Sequence, residues 1–332
     1  MKKLRIVTLL IIILFTIGLL VVSGQGLKPN VIVWGSASLG SRGYVCMEAF
    51  SSTLNKLTDL KNSSISTGGG AENLALIDQG EIQIGQGMRL DLYNAYRGIE
   101  SYDHKIDFVQ VFSYSVAGMT IGVLPDSGIE TIKDLAGKRL AVGPASGGAV
   151  PIIKAVLKEY GILDDVSLAY MGWSEAPDAL NAGQVDASGI WISGESIPHA
   201  GFQKLAMIRE FKLLDMDRDK LENIAKGNEG FSVGKVDKKA FDFLTEDKLC
   251  AGSSSILVAD PNLDEEIVYE IVKTLFENEE DVRSIDPQSL GEFYLERALD
   301  NIIADYPFHP GAVRYFKEVG IWSDDLRVYK YE

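Results

Sequence analysis

Three glycine-rich turns, each set between a short apolar run and a stretch of helical periodicity, constrain this chain most. They are Gly35-Ser36-Ala37-Ser38-Leu39-Gly40-Ser41, Thr67-Gly68-Gly69-Gly70 and Gly143-Pro144-Ala145-Ser146-Gly147-Gly148. The runs before them, residues 31–34, 64–66 and 140–142, read as strands that end at the glycines. Glycine lets the backbone come close to a ligand, and a helix N-terminus offers unpaired N–H groups with a partial positive charge. Several such ends facing one cleft hold a small anion without any catalytic side chain. A binding protein is therefore expected before an enzyme.

Met1-Lys2-Lys3-Leu4-Arg5 is followed by an apolar run over residues 6–22 and then by Ser23-Gly24. A basic start, an apolar stretch and small residues at its end are the marks of an export signal over residues 1–24. The run lies between the length of a cleaved signal and that of a membrane span of about 20 residues, so an uncleaved N-terminal anchor is the alternative. The expected location is periplasmic or extracytoplasmic. Removing Lys2, Lys3 and Arg5 takes the formal charge from −15 to −18. So acidic a surface argues against nucleic acid or anionic lipid as a partner, and an anionic ligand must be attracted locally. Cys46 and Cys250 are too few for a disulfide scaffold; two separate buried thiols are expected, with a single bridge as the alternative.

Strand-like and helix-like runs alternate. Strands at 31–35, 65–67 and 82–85 precede helices at 43–57, 71–79 and 90–96, which reads as a parallel sheet flanked by helices. A second series has strands at 119–124, 139–143, 166–171 and 185–190, with helices at 132–135, 150–160 and 176–182 between them. A further strand at 253–259 is followed by helices at 263–278, 289–303 and 310–319. Residues 209–249 are charged and weakly periodic. The layout expected is lobe one from residues 28–114 plus 252–332 and lobe two from residues 115–251. Two crossing segments between them make a hinge.

Five separated stretches carry a family resemblance. Gly35-Ser36-Ala37-Ser38-Leu39-Gly40 with Tyr44 is similar to an opening G-T/S-x-S-x-G-G-x-Y-Y. Thr67-Gly68-Gly69-Gly70-Ala71-Glu72-Asn73-Leu74, followed by Gln79-Gly80-Glu81, resembles T-G-G-S-x-E-N-L…S-G-E. Residues 132–139 match D-L-x-G-K-R, an element common to many binding proteins, and residues 170–187 resemble Y-L-G-F-S-E-A…G-Q-I-D-A. The most specific stretch is Pro307-Phe308-His309-Pro310-Gly311-Ala312-Val313-Arg314-Tyr315-Phe316-Lys317-Glu318, which resembles P-L-H-P-G-A-I-R-Y-Y-K-E. Together they resemble the solute-binding subunit of TRAP transporters of the TAXI type. The resemblance implies a two-lobed α/β fold of the type II periplasmic-binding-protein class, with two sheets flanked by helices. It also implies a glutamate- or dicarboxylate-like ligand and TRAP membrane permease subunits as partners, with no cofactor.

This chain departs from that pattern where the ligand would sit. Arg42 and Gly43 stand where relatives have threonine and tyrosine, and Met88-Arg89-Leu90 replaces Q-S/N-D. Ser146-Gly147-Gly148-Ala149 replaces G-S-G-T, which removes one hydroxyl. The pocket expected is more cationic and less hydroxyl-rich.

Arg42 and Arg89 are the candidates to grip a carboxylate, since a guanidinium presents two parallel donors. Ser36, Ser38, Gly40 and Gly69 belong to the first two turns, Tyr44 to the pocket wall, and Asn73 is expected to contact the ligand because it both donates and accepts. Ser146, Gly147 and Gly148 form the helix-end anion site of lobe two. Trp173, Trp191 and Ser193 lie at strand ends facing the cleft. His309, between two prolines, reads as structural. Catalysis and metal binding find no support: there is no G-x-S-x-G elbow, no H-E-x-x-H and no Cys-x-x-Cys. Asp215-Met216-Asp217-Arg218-Asp219 starts like a calcium loop but fails at Lys220 and Lys226, so it reads as an acidic helix start. A receptor of the same fold that feeds a signalling partner is the alternative to transport.

Overall fold

A computed structural model describes residues 26–331 apart from Ser38, Gly40, Ser146 and Gly147. The leader and those four site candidates lie outside the described residues. Among the described residues no helix is long and apolar enough to cross a membrane.

The first part of the chain is three strand–helix units. They are β1 (Ile32–Gly35) with α1 (Arg42–Leu57), β2 (Asn62–Ile65) with α2 (Gly70–Asp78), and β3 (Ile84–Met88) with α3 (Arg89–Arg97). Then comes β4 (Val109–Val123), 15 residues long. The next part runs β5 (Arg139–Ala141), α4 (Ala149–Glu159), β6 (Ser167–Ala169), α5 (Ala176–Asn181), β7 (Ala187–Ser193) and β8 (Ile197–Pro198). It continues with α6 (Ala200–Ile208), β9 (Lys212–Leu213), α7 (Arg218–Gly227) and β10 (Ser232–Val236). The last part holds β11 (Lys248–Ala259), α8 (Glu265–Glu277), α9 (Glu279–Ile285), α10 (Pro287–Leu290) and α11 (Pro310–Glu318).

Local chemistry sets these boundaries. Ser41 Oγ accepts the Tyr44 N–H at 3.3 Å and starts α1. Asp264 Oδ1 accepts the Glu266 N–H at 3.1 Å and starts α8, whose first turn also carries Glu265 and Glu266 where the helix dipole favours negative charge. In α8, Val268, Ile271, Val272, Leu275 and Phe276 repeat at helical spacing and are all buried.

The strands pair in the order β2-β1-β3-β11-β4-β7-β5-β6, with β10 on β11, β8 on β7 and β9 on β4. β1 pairs parallel with β2 and β3, and β5 pairs parallel with β6 and β7. Between these parallel triplets run β4 and β11, antiparallel to each other from Val109↔Ala259 to Met119↔Ala251. β3 pairs only with the 255–259 end of β11, and β10 only with the 248–252 end. β7 takes residues 117–123 of β4. The Asp237 N–H reaches Glu195 O at 2.7 Å, which curls the far end of β10 over β4 toward the end of β7. The α/β fold expected from the sequence is therefore present, and its two halves are joined into one curled sheet by the shared long strands.

The halves have separate cores. Phe50, Phe112, Phe276 and Phe293 pack under α1 and α8, with centroids 5.8 Å apart for Phe50–Phe112 and 4.6 Å for Phe276–Phe293. Met119, Ile121, Ile153, Val156 and Leu157 pack under α4. Cys46 and Cys250 are both free and buried, so the single bridge is excluded; burial pushes each thiol up to about 12.

Two expectations need correction. Residues 289–303 do not form a helix: α10 ends at Leu290 and only a 3-10 turn, Leu295–Arg297, follows. The chain turns tightly at Gly291, where a side chain would overlap Pro287 O, and drives Phe293 fully into the core. Residues 209–249, unreadable by periodicity, form β9, α7 and β10, and α7 starts beside Asp217 as the acidic helix start expected there.

Candidate ligand site

The first two glycine turns are fastened to each other. The Ser36 N–H and Oγ both donate to Ile65 O, at 3.0 and 2.6 Å. The Ser36 carbonyl accepts from Asn73 Nδ2 at 2.8 Å and from Gln86 Nε2 at 3.2 Å. Asn73 Nδ2 also donates to Gln86 O at 2.8 Å, and its Oδ1 accepts from Thr67 Oγ1 at 2.7 Å. Ser36 and Asn73 are both fully buried. Their expected ligand contacts are thus corrected: these side chains spend their hydrogen bonds tying the ends of β1, β2 and β3 together. Gly35 is needed there because any side chain would overlap Asn73.

The N-terminus of α2 is already supplied with negative charge. Gly69, at φ +116, precedes it, and Glu72 Oε2 accepts the Gly68 N–H at 2.6 Å. The Asp91 carboxylate lies against Gly70 and accepts the Met88 N–H at 3.0 Å. Burial pushes the Asp91 carboxyl up to about 6. Two carboxyl groups thus already stand at the helix end where the sequence places Gly69 beside a ligand.

Arg42, Gly148, Trp191 and Ser193 gather where β4 and β11 cross from one half to the other. Arg42, first residue of α1, donates from Nε to Ser289 O at 2.9 Å and from Nη1 to Ser115 Oγ. Neither bond uses Nη2. Ser115 pairs with Ser255, and Ser255 pairs on its other side with Met88 at the end of β3. Met88 touches Gly148, the cap of α4, so closely that a Cβ on Gly148 would lie 2.5 Å from its Sδ. One row, Arg42–Ser115–Ser255–Met88–Gly148, therefore links the start of α1 to the start of α4.

The floor continues beside this row. Ala117 pairs with Ser253 on β11 and Ser193 on β7; Met119 pairs with Ala251 and Trp191. Alternation along a strand puts residues 115, 117 and 119, 251, 253 and 255, and 191 and 193 on one face. Trp191 and Ser193 thus belong to the floor. Tyr44 is half-buried in the first turn of α1. Trp173 lies over Gly143, whose φ of +84 and contact with the indole leave no room for a side chain. Gly143→Ala is expected to cost about 2 kcal/mol, from left-handed strain plus displaced packing, and to shift tryptophan emission; unchanged emission would mean that Trp173 is not seated there.

Arg89 is elsewhere. The carboxylate of Glu229 and the phenol of Tyr306 lie near it, burial lowers its pKa, and its Nε is buried without a hydrogen-bond partner among the described residues. Arg97 also faces Glu229, at 3.7 Å. Of the two arginines expected to grip a carboxylate, Arg42 stands in the row and Arg89 lies instead beside Glu229, in the loop that follows α7.

Residues 35–320 match the model of the NMT1-like family. The chain belongs to the NMT1-like family. Solved structures similar to this NMT1-like chain include a Xanthomonas citri protein bound to ATP, 10% identical, with a TM-score of 0.50 over 88% of this chain and 96% of that one. Another is the periplasmic aliphatic sulphonate binding protein SsuA from Escherichia coli, 17% identical, with a TM-score of 0.48 over 87% and 79% of the two chains. A third is the probable amino-acid ABC transporter extracellular-binding protein ytmK from Bacillus subtilis, 16% identical, with a TM-score of 0.46 over 80% and 98%. At these identities the likeness is one of fold.

Ser115, Ser253 and Ser255 were not singled out by sequence reasoning, and Met88 entered it only as part of the Met88-Arg89-Leu90 departure. The signal available in the NMT1-like chain was Ser253-Ser254-Ser255, three hydroxyls opening an otherwise apolar strand.

Proposed function

We propose that this NMT1-like protein is an extracytoplasmic solute receptor that captures a small organic anion, of glutamate or dicarboxylate type, and delivers it to a TRAP permease driven by an ion gradient. The observation that carries this reading is the row from Arg42 through Ser115 to Gly148. It sets a guanidinium with Nη2 outside its two bonds opposite the start of α4, across the two crossing strands. A guanidinium and a helix N-terminus together favour a carboxylate. Residues 28–114 with 252–332 form one lobe in this reading and residues 115–251 the other. They close over the ligand, and binding energy stabilises the closed form that the permease recognises. No bond is made or broken.

A thermal-shift screen of the purified protein against L-glutamate, 2-oxoglutarate, succinate and neutral sugars tests the ligand class. A ligand at one hundred times its Kd adds about 2.7 kcal/mol to folding stability. Stabilisation by sugars alone, or by nothing, would overturn the reading. Arg42→Ala is expected to weaken binding of the best acid at least tenfold, about 1.4 kcal/mol; unchanged affinity takes Arg42 out of the site. Uptake into vesicles that needs a sodium gradient but no ATP supports the TRAP assignment, whereas ATP-dependent uptake refutes it.

A further inference from the structure

The floor of the cleft carries one polar group left over. Ser253 Oγ is fully buried, with no hydrogen-bond partner among the described residues. Its neighbours are not in that state. Ser254 Oγ donates to Asn301 O at 2.7 Å, and Ser115 Oγ donates to Val116 O at 3.1 Å while receiving Arg42. A hydroxyl kept dry and unpaired is costly, and such groups normally acquire a partner. Among the described residues the other buried atoms without a hydrogen bond lie elsewhere: Ser64 on the outer strand β2, Thr120 on the opposite face of β4, and Arg89 and Glu229 beside α3. Ser253 alone stands on the face shared by α1 and α4.

Its position sets the length of what it can meet. Ser253 is the diagonal neighbour of Ser115, which is directly opposite Ser255, and such neighbours lie roughly 7 Å apart. Beyond Ser253 the face is filled. Ala251 and Met119 are buried, and Ile153 of α4 presses on Gly189. A ligand held at Arg42 that extends along this face therefore meets Ser253 one diagonal step from Ser115.

We propose that Ser253 is a specificity-determining residue of the receptor, its hydroxyl hydrogen-bonding the second polar group of a short bifunctional acid whose carboxylate is held at Arg42. This rests on the reading of the cleft as a small-anion site. It goes further by excluding plain monocarboxylates of the same length, which would leave the hydroxyl as unpaired as before.

The test is calorimetric titration of the full-length protein and its Ser253→Ala variant with succinate, L-glutamate and butyrate, together with urea unfolding of both without ligand. The wild type is expected to prefer the bifunctional acids over butyrate at least tenfold. In Ser253→Ala that preference should collapse toward unity while butyrate binding stays the same. Without ligand, the variant's unfolding midpoint should equal or exceed that of the wild type, since an unpaired hydroxyl has been removed. Ser254→Ala, which loses the bond to Asn301, should unfold more easily and keep the preference. Retained preference in Ser253→Ala overturns the proposal alone. A lowered midpoint in Ser253→Ala also overturns it, by revealing a partner within the fold. Failure of every acid to bind the wild type overturns the anion reading itself.

Discussion

Replacing Asn73 by alanine is expected to lower the free energy of unfolding by about 4 kcal/mol, among the largest effects a single side chain has in this protein. The amide joins Thr67, Ser36 and Gln86 at distances of 2.7–2.8 Å in a place without water access. Removing it takes one bond from the Gln86 carbonyl, leaves the Thr67 hydroxyl without its acceptor and deprives the Ser36 carbonyl of its shorter bond. Each such loss costs about 1–3 kcal/mol, in addition to the space left behind. Urea unfolding followed by circular dichroism measures the effect. A change below about 1 kcal/mol would show that the turns relax or admit water, and that Asn73 is not the tie between β1, β2 and β3. Asn73→Asp should be nearly as damaging, because a carboxylate accepts but cannot donate to two carbonyls.

Acid should destabilise the protein through His309. The ring is fully buried, its Nε2–H donates to Leu263 O at 2.8 Å, and its Nδ1 accepts the Gly311 N–H at 3.1 Å. That pattern needs the neutral ring, and burial lowers its pKa from 6.5 to about 4. Because the unfolded chain takes up the proton first, stability is complete above pH 6.5 and is lost progressively down to pH 4. The loss is about 3 kcal/mol. Asp91 acts in the opposite direction. Its carboxyl is raised from 3.8 to about 6, so its contribution is complete below pH 3.8 and declines as pH rises through 6. Comparing the wild type with His309→Gln across this range isolates the histidine. Parallel curves for the two proteins would mean that other groups carry the acid sensitivity.

The strand–helix units were legible because glycine punctuates them, and His309 was legible because two prolines leave its segment little freedom. Asn73 was misread for a physical reason. A sequence places an amide in the first turn of a helix but does not show whether its bonds close inside the fold. The surroundings of Arg89 were not legible either, since the loop carrying Glu229 lies far away in the chain and belongs to the stretch with the weakest periodicity. Ser253 stood in plain view as a hydroxyl in an apolar strand. Its meaning depends on register, because only the pairing with Ala117 puts it beside Ser193 and one step from the serine that Arg42 grips.

The two long strands also decide how the molecule can be divided. β4 serves the first half with residues 109–115 and the second with 117–123, and β11 is split between the halves in the same way. A cut at either crossing would strip a strand of its neighbour and expose a raw sheet edge, a template for pairing with other chains. The first half is made of two separated pieces of sequence, and the second, although one contiguous stretch, begins and ends in the middle of strands it shares with the first. Recombination can change this protein only at its loops or as a whole.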